Sequence, residues 1–255
     1  MENEIKLPQL SRRLQTIAET VTPGMRVADI GTDHGFVPIY LVLKNIVPKA
    51  IAMDVRRGPL DRAKEHVTEY GLSQKIDLRL SDGMEKLMEN EADTVICAGM
   101  GGPLMQRIVE EGRPCEKGIK EMILQPQSEL MEFRRFLRDN KYDVLTEKSL
   151  EEDGKYYFLI KVSCANTDKQ PIYTDMINEI ISKYSCSYET ALRICDRFGP
   201  FLLKQRSETL KAYLEHGKEV ASSIIKALPE NMKGERRAEV LQELEDIEKA
   251  IGLWD

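Results

Sequence analysis

A chain of 255 residues with 42% apolar side chains can bury one large core or two modest ones, and the lack of glutamine, serine or proline tracts excludes a low-complexity protein. No run approaches the roughly 18 apolar residues of a membrane span, and the start MENEIKLPQL has no basic stretch followed by an apolar one, so no signal peptide and no membrane association are expected. A net charge of −6, with neither half basic overall, leaves only local patches for a polyanionic partner. The five cysteines (Cys97, Cys115, Cys164, Cys186 and Cys195) are odd in number and contain no Cys-x-x-Cys pair. Reduced thiols in a cytoplasmic protein are therefore expected, without a disulfide framework or a zinc site. The three histidines, His34, His66 and His216, are too scattered to suggest a metal cluster.

Residues 9–20 place Leu10, Leu14, Ile17 and Ala18 on one helical face, with Arg12 and Arg13 beside it. Two readings stand: a packed amino-terminal helix, or a helix whose arginines reach a phosphate or a cofactor carboxylate. The turn Pro23-Gly24 leads into a strand over 25–30. A polar loop, Gly31-Thr32-Asp33-His34-Gly35, follows, and a helix resumes over 36–45. Strand, glycine turn and helix bring a ligand's polar groups up against backbone amides at a helix start. A second strand, 50–54, ends on Asp54, and an acidic residue there can accept hydrogen bonds from both hydroxyls of a ribose.

The alternation continues with a helix near 58–70, strand 76–80, a short helix near 83–89 and strand 93–98. A helix near 101–110, strand 120–125, a helix near 128–139 and strands near 142–149 and 156–164 complete it. Such alternation predicts an α/β domain with a mostly parallel sheet. Only Glu151-Glu152-Asp153-Gly154 separates the last two strands, which should form an antiparallel hairpin. Five strand–helix units closed by a hairpin are the pattern of a class I S-adenosylmethionine methyltransferase with a Rossmann-like sheet. A plain dinucleotide-binding fold would add another crossover helix.

Residues 165–171 read as a linker, beyond which the strand signal vanishes. Helices are predicted over 174–184 and 187–196, with Phe198-Gly199-Pro200 as a break. A long helix over about 202–228 carries Leu210, Leu214, Gly217, Ala221, Ile224 and Leu228. After a turn at Pro229 to Gly234, a last helix carries Val240, Leu244, Ile247 and Ile251. Steps of four and three on both helices predict an antiparallel coiled-coil hairpin. The expected division is an α/β domain over 1–165 and an all-α helical domain over 166–255.

Asp29-x-Gly31-x-Asp33-His34-Gly35 departs from the dinucleotide fingerprint because Asp33 replaces the middle glycine, where a side chain would crowd a pyrophosphate and repel it. The ammonium and sulfonium groups of S-adenosylmethionine favour nearby carboxylates; a structural tight turn is the competing reading. Asp82-Gly83 follows the third strand, where a carboxylate can accept from an adenine amine, although Ser81-Asp82-Gly83 also suits a turn or helix cap. Acidic residues at the ends of three successive strands all face the carboxyl edge, where open α/β sheets bind ligands. After strand four, Ala98-Gly99-Met100-Gly101-Gly102-Pro103 allows close backbone approach. It lacks the Asn/Asp-Pro-Pro-aromatic signature of many amino-group methyltransferases, so the acceptor chemistry must differ. Met100 could pack on a flat base or simply fill the core.

The stretches VADIGTDHGFVP, DVRRGPLDRA, SDG, ICAGMGG, MILQPQ with FRRFL, and LEEDGKYYFLIKV resemble the bacterial tRNA (adenine-N1)-methyltransferase family (TrmK-like), which acts at tRNA position 22. The resemblance covers roughly residues 9–164, and FGPFLL with the helical hairpin resembles the family's carboxyl-terminal region. It implies S-adenosyl-L-methionine as donor, tRNA as partner and a coiled-coil second domain. It also implies Gly31, Asp33, His34, Gly35, Asp54, Asp82, Gly83, Ala98, Gly99 and Met100 as the cofactor neighbourhood, beside Asp29. Adenine N1 is already a nucleophile at neutral pH, so transfer needs in-line positioning more than a strong base. The ring gains positive charge, which a carboxylate would stabilise; Asp29 is the expected catalytic residue. Candidate tRNA contacts are Arg12-Arg13, Arg56-Arg57, Arg134-Arg135, Arg193 with Arg197, and Arg236-Arg237, each of which a solvated helix face also explains. A monomer or weak dimer without metal is expected. The alternatives are a small-molecule methyltransferase on the same fold and a non-catalytic nucleoside-binding scaffold.

Overall fold

Strands that are mostly apolar must be covered on both faces, and three of them are: β1 (Val27–Ile30), β2 (Ala50–Asp54) and β5 (Glu121–Pro126) are buried at every residue. With β3 (Ile76–Leu80), β4 (Thr94–Met100), β6 (Asp143–Glu152) and β7 (Lys155–Ser163) they form a seven-stranded sheet of order β3-β2-β1-β4-β5-β7-β6. The first five strands run parallel, whereas β7 is antiparallel to both β5 and β6. The computed structural model describes residues 7–164, 170–227 and 235–255. Most of the expected linker (165–169), Leu228, the turn Pro229 to Gly234 and the first six residues lie outside the described residues.

Successive side chains of a strand face opposite ways, and the core divides accordingly. Val27, Ala50, Ala52, Ile96 and Ile123 pack with Ile17, Ile39, Leu41 and Val67 of α1 (Arg12–Ala18), α2 (Phe36–Leu43) and α3 (Arg57–Glu69). Ala28, Met53, Val95, Cys97, Met122 and Leu124 face α4 (Gly102–Gly112) and α5 (Leu130–Asp139) through Met105, Ile108, Phe133 and Leu137. This second layer continues without a break into α6 (Pro171–Tyr184), α7 (Tyr188–Phe198), α8 (Pro200–Lys204) and α9 (Glu208–Ala227), where Met176, Ile194, Leu203 and Leu210 belong to the same core. α10 (Glu235–Ile251) runs antiparallel to α9, with Lys218 on Glu248 at 3.0 Å and Gly217 against Ile247.

A buried ion pair lies where the helices meet the sheet. Arg134 and Glu147, 2% and 0% exposed, join at 2.7 Å. Arg134 also donates to the Arg197 carbonyl at 3.0 Å, and Glu147 accepts the Phe201 N–H at 3.0 Å. Gly199 admits the carboxylate: a Cβ there would lie 2.5 Å from Glu147 Oε2.

Two expected helices come out differently. Residues 83–86 form a turn and 87–88 are irregular, so no helix occurs there. Gly83 is left-handed at φ +50°, and Ser81 Oγ accepts the Lys86 N–H, which closes the loop while burying Met84 and Leu87 without a helix. The helix expected over 202–228 is broken between α8 and α9. Arg206 has a left-handed backbone (φ +51°) and donates to the Leu253 carbonyl, and the Ser207 hydroxyl accepts the Leu210 N–H to start α9.

Candidate active site

The carboxyl ends of β1, β2 and β4 frame a cavity of about 650 Å³, a size suited to a nucleoside-bearing cofactor. The turn after β1 is tied to its neighbour, since the N–H groups of Gly31 and Thr32 both donate to the Met53 carbonyl, at 2.8 and 2.9 Å. Gly31 is left-handed (φ +78°), and a Cβ there would lie 2.0 Å from the Met100 methyl. The left-handed backbone favours glycine at this position, and a side chain there would also have to displace the Met100 methyl. Gly35 caps α2 at φ +70°, and a Cβ there would lie 3.2 Å from that of Ala63. It shapes the loop without lining the cavity.

The acidic residues differ in their surroundings. Asp29 is 8% exposed and has no cation within ion-pair distance among the described residues. Burial pushes its carboxyl up to about 6; the Thr32 hydroxyl opposes this and the Asp54 charge adds to it. That hydroxyl falls short of a normal hydrogen bond, so Thr32 Oγ1 is buried without a partner. Asp54, 6% exposed, accepts the Arg56 N–H at 2.7 Å. Asp33 accepts from Arg62 at 2.8 Å, which holds its carboxyl below the usual range. Asp82 accepts from both terminal nitrogens of Arg107, at 3.1 and 3.3 Å.

The opposite wall comes from α1 and β5. Arg13 donates to Gln125 Oε1 at 2.9 Å and lies over the Tyr157 ring, which aims its guanidinium into the cavity. Between β4 and β5 the register slips at Gly99 (φ +77°). A Cβ on that glycine would come 3.7 Å from Arg13 Nη1 and 3.9 Å from Gln127 Nε2. Ser128 Oγ accepts the Gly102 N–H at 3.2 Å and so binds the loops after β4 and β5 together.

Asp29, Gly31, Asp33, His34, Asp54, Asp82, Gly83, Ala98, Gly99 and Met100 thus line one cavity; of the expected neighbourhood only Gly35 stays behind it. Sequence reading missed Arg107, Arg62 and Gln127. Nothing in the spacing linked the two arginines to Asp82 and Asp33, while a glutamine just past an apolar strand was the available signal for Gln127. It also missed that His34 and His66 stack about Phe36, with Phe36 and His66 centroids 4.6 Å apart and His66 Nδ1 2.9 Å from the His34 carbonyl.

Some expected tRNA contacts are committed elsewhere. Arg134 is buried against Glu147, and Arg193 and Arg197 both hold Asp246, at 2.9 and 3.2 Å. These bonds leave them little freedom to meet phosphate. Arg56 and Arg57 are exposed beside the cavity mouth. A second cavity of about 540 Å³ opens between the start of α5 and the α9–α10 hairpin, and Gln127 lines both. No group of three or more histidines, cysteines or acids placed to hold a metal occurs among the described residues, and no described helix is long and apolar enough to cross a membrane.

The residues present suit S-adenosylmethionine. They provide the second-strand acid for a ribose, an orphaned buried hydroxyl on Thr32, acidic groups for an ammonium and Arg13 for a carboxylate. A methyltransferase-domain family model matches residues 10–160. The chain is 32% identical over 253 residues, with 98% of each chain covered, to a Bacillus subtilis protein named tRNA (adenine(22)-N(1))-methyltransferase. The crystal structure of the B. subtilis m1A22 tRNA methyltransferase TrmK superposes with a TM-score of 0.81 at 31% identity, covering 96% of this chain and 100% of that one. A Streptococcus pneumoniae chain solved in complex with S-adenosyl-L-methionine superposes at 0.78 with 29% identity, covering 95% of this chain and 100% of that one.

Proposed function

The chain belongs to the tRNA (adenine(22)-N(1))-methyltransferase family, and from that premise we infer that it transfers a methyl group from S-adenosyl-L-methionine to N1 of adenine 22 in tRNA. Bound S-adenosylmethionine supplies an electrophilic methyl on a sulfonium centre. Asp54 would accept from the ribose hydroxyls, Asp82 from the adenine amine of the cofactor, and Arg13 would pair with its carboxylate. Gly31, Gly83, Gly99, Ala98 and Met100 supply the close-fitting wall, and His34 and Asp33 sit at the mouth.

The acceptor's N1 carries its own lone pair, so no group need remove a proton from it before transfer. What the protein adds is position and charge. Asp29 is the catalytic residue of this reading: ionised above about pH 6, it accepts from the acceptor's exocyclic amine and balances the positive charge that grows on the ring. The observation that carries the proposal is this buried carboxylate in the cavity wall, left without a cation among the described residues, where an anion is otherwise costly. Residues 1–165 form the catalytic domain in this reading, and residues 166–255 a helical coiled-coil domain that grips the tRNA. The protein acts in the cytoplasm as a monomer or weak dimer, without metal.

The test pairs calorimetric titration of S-adenosylmethionine with transfer of tritiated methyl to a tRNA transcript carrying adenine at position 22 and to one carrying another base there. Label confined to the first transcript is expected. Cofactor binding without any transfer to RNA would overturn the assignment, and label appearing only in small molecules of a cell extract would favour a small-molecule acceptor.

A further inference from the structure

An adenine methylated at N1 cannot be recognised through that atom, because its lone pair has to face the donor. Recognition falls to the N6 amine, which donates, and to N7, which accepts. A side chain that meets both must accept at one atom and donate at the next, and a carboxamide does so.

Gln127 is the only carboxamide among the described residues lining the cofactor cavity. It stands just past β5, on the side of β4 away from Asp54 and Asp82, which end or follow β2 and β3. The cofactor's nucleoside would occupy the β2–β3 side, so an acceptor base has to enter from the β5 side. Gln127 is held in place by its backbone, whose N–H donates to the Met100 carbonyl at 2.9 Å. Its carboxamide makes no hydrogen bond to another described residue, whereas that of Gln125, two residues earlier, is engaged by Arg13. The side chain is exposed, and it also borders the second cavity, which opens toward the helical hairpin.

Resting on the adenine-N1 reading above, we propose that Gln127 is a specificity-determining residue that identifies the acceptor as adenine, its Oε1 accepting the N7-side hydrogen of the N6 amine and its Nε2 donating to N7. The other N6 hydrogen, on the N1 side, is left for Asp29. The two residues thereby hold the amine from its two sides, and N1, next to the hydrogen that Asp29 accepts, is left facing the donor methyl.

The experiment compares the full-length protein and its Gln127→Leu variant on two tRNAs, one with adenosine and one with 7-deazaadenosine at position 22. The modified base keeps N1 and N6 and replaces N7 with C–H. Gln127→Leu should lower kcat/KM on the adenosine tRNA by about 10- to 100-fold, the range of one bidentate base contact. S-adenosylmethionine affinity and the melting temperature should stay unchanged, because the amide is exposed and unbonded. The wild type should lose activity on the 7-deaza tRNA relative to the variant by a similar factor. Comparing the two proteins cancels any effect of the modified base on its own nucleophilicity or on tRNA folding. A wild type and variant that respond identically to the 7-deaza substitution would overturn the role of Gln127 while leaving the methyltransferase reading intact. Failure of the wild type on the adenosine tRNA would overturn both.

Discussion

Asp29, at the carboxyl end of the sheet, is treated in the opposite way to the carboxylates at its amino end. At the amino end, Asp93 holds Arg26 at 2.8 Å and Lys120 at 3.0 Å, Glu91 holds Arg79 at 2.5 Å, and Glu121 holds Lys161 at 2.9 Å with the Thr22 hydroxyl at 2.7 Å. Arg79 draws Glu91 down to about 2, Arg26 draws Asp93 lower still, and Glu121 is lowered against its burial by Lys161 and Thr22. At the carboxyl end Asp29 is buried, finds no cation among the described residues and is pushed up to about 6. Where an anion is matched, the fold uses it to fix strand ends and loops. Where it is left unmatched, the fold bears a cost that only a ligand can relieve.

The largest effect should come from unmatching a matched pair. Glu147→Ala strands Arg134 at the sheet–helix junction and should destabilise the protein by about 3–5 kcal/mol, read as a fall in the urea midpoint; a loss below 1 kcal/mol would show that the junction tolerates an unpaired guanidinium. Next is Asp29→Asn, which keeps size and removes charge. It should lower kcat by about tenfold to a thousandfold, or roughly 1.4–4 kcal/mol, with far less change in cofactor affinity. Normal single-turnover methylation combined with a collapse of S-adenosylmethionine binding would return Asp29 to the cofactor site. Asp54→Ala should weaken S-adenosylmethionine binding by about 1–3 kcal/mol, and an unchanged dissociation constant by calorimetry would remove Asp54 from the ribose.

The smallest effect concerns pH. Because Asp29 titrates higher in the folded chain than when unfolded, the folded state binds the extra proton, and this group's penalty is absent below the unfolded value and complete above about pH 6. Asp93 and Glu91 run the other way: their contribution is present above the unfolded value and is lost as pH falls through the folded one. Asp29→Asn should therefore stabilise the ligand-free protein by about 1–2 kcal/mol at pH 7.5. That is less than the ~3 kcal/mol of a full two-unit shift, since the cavity admits water. The gain should vanish near pH 4, as thermal melts at the two pH values would show.

The parallel strands were legible because burial on both faces writes them as short apolar runs ending at glycine or acid, as Ala50 to Asp54 does. The cavity residues were legible for the same reason, since they follow directly from those strand ends. A short helix was expected near 83–89, yet an irregular turn buries Met84 and Leu87 once Gly83 goes left-handed. Arg206 gave no warning of the break before α9, because the acceptor that fixes it is the carbonyl of Leu253, 47 residues away. Arg134 read as a surface charge because its partner Glu147 lies on a strand whose pairing decides which face is inward. Patterns within one element were readable; contacts made by the packing of distant elements were not.

The bonds of α1 and the turn after it set an order of events during synthesis. Arg13 is fixed by Gln125, 112 residues later, and its backbone N–H by Glu152, 139 residues later, while Lys161 closes on the Thr20 carbonyl across 141 residues. A segment made before the sheet it joins is thus among the last to be anchored. Such distant pairing is slow, because chain entropy is lost before the contacts form. A nascent chain ending before β6 has its cofactor acids but no settled Arg13 wall, so S-adenosylmethionine can stabilise the finished protein without guiding its early folding. Ribosome-stalled chains ending near residue 140 should accordingly retain no cofactor, and chains released past residue 164 should begin to do so.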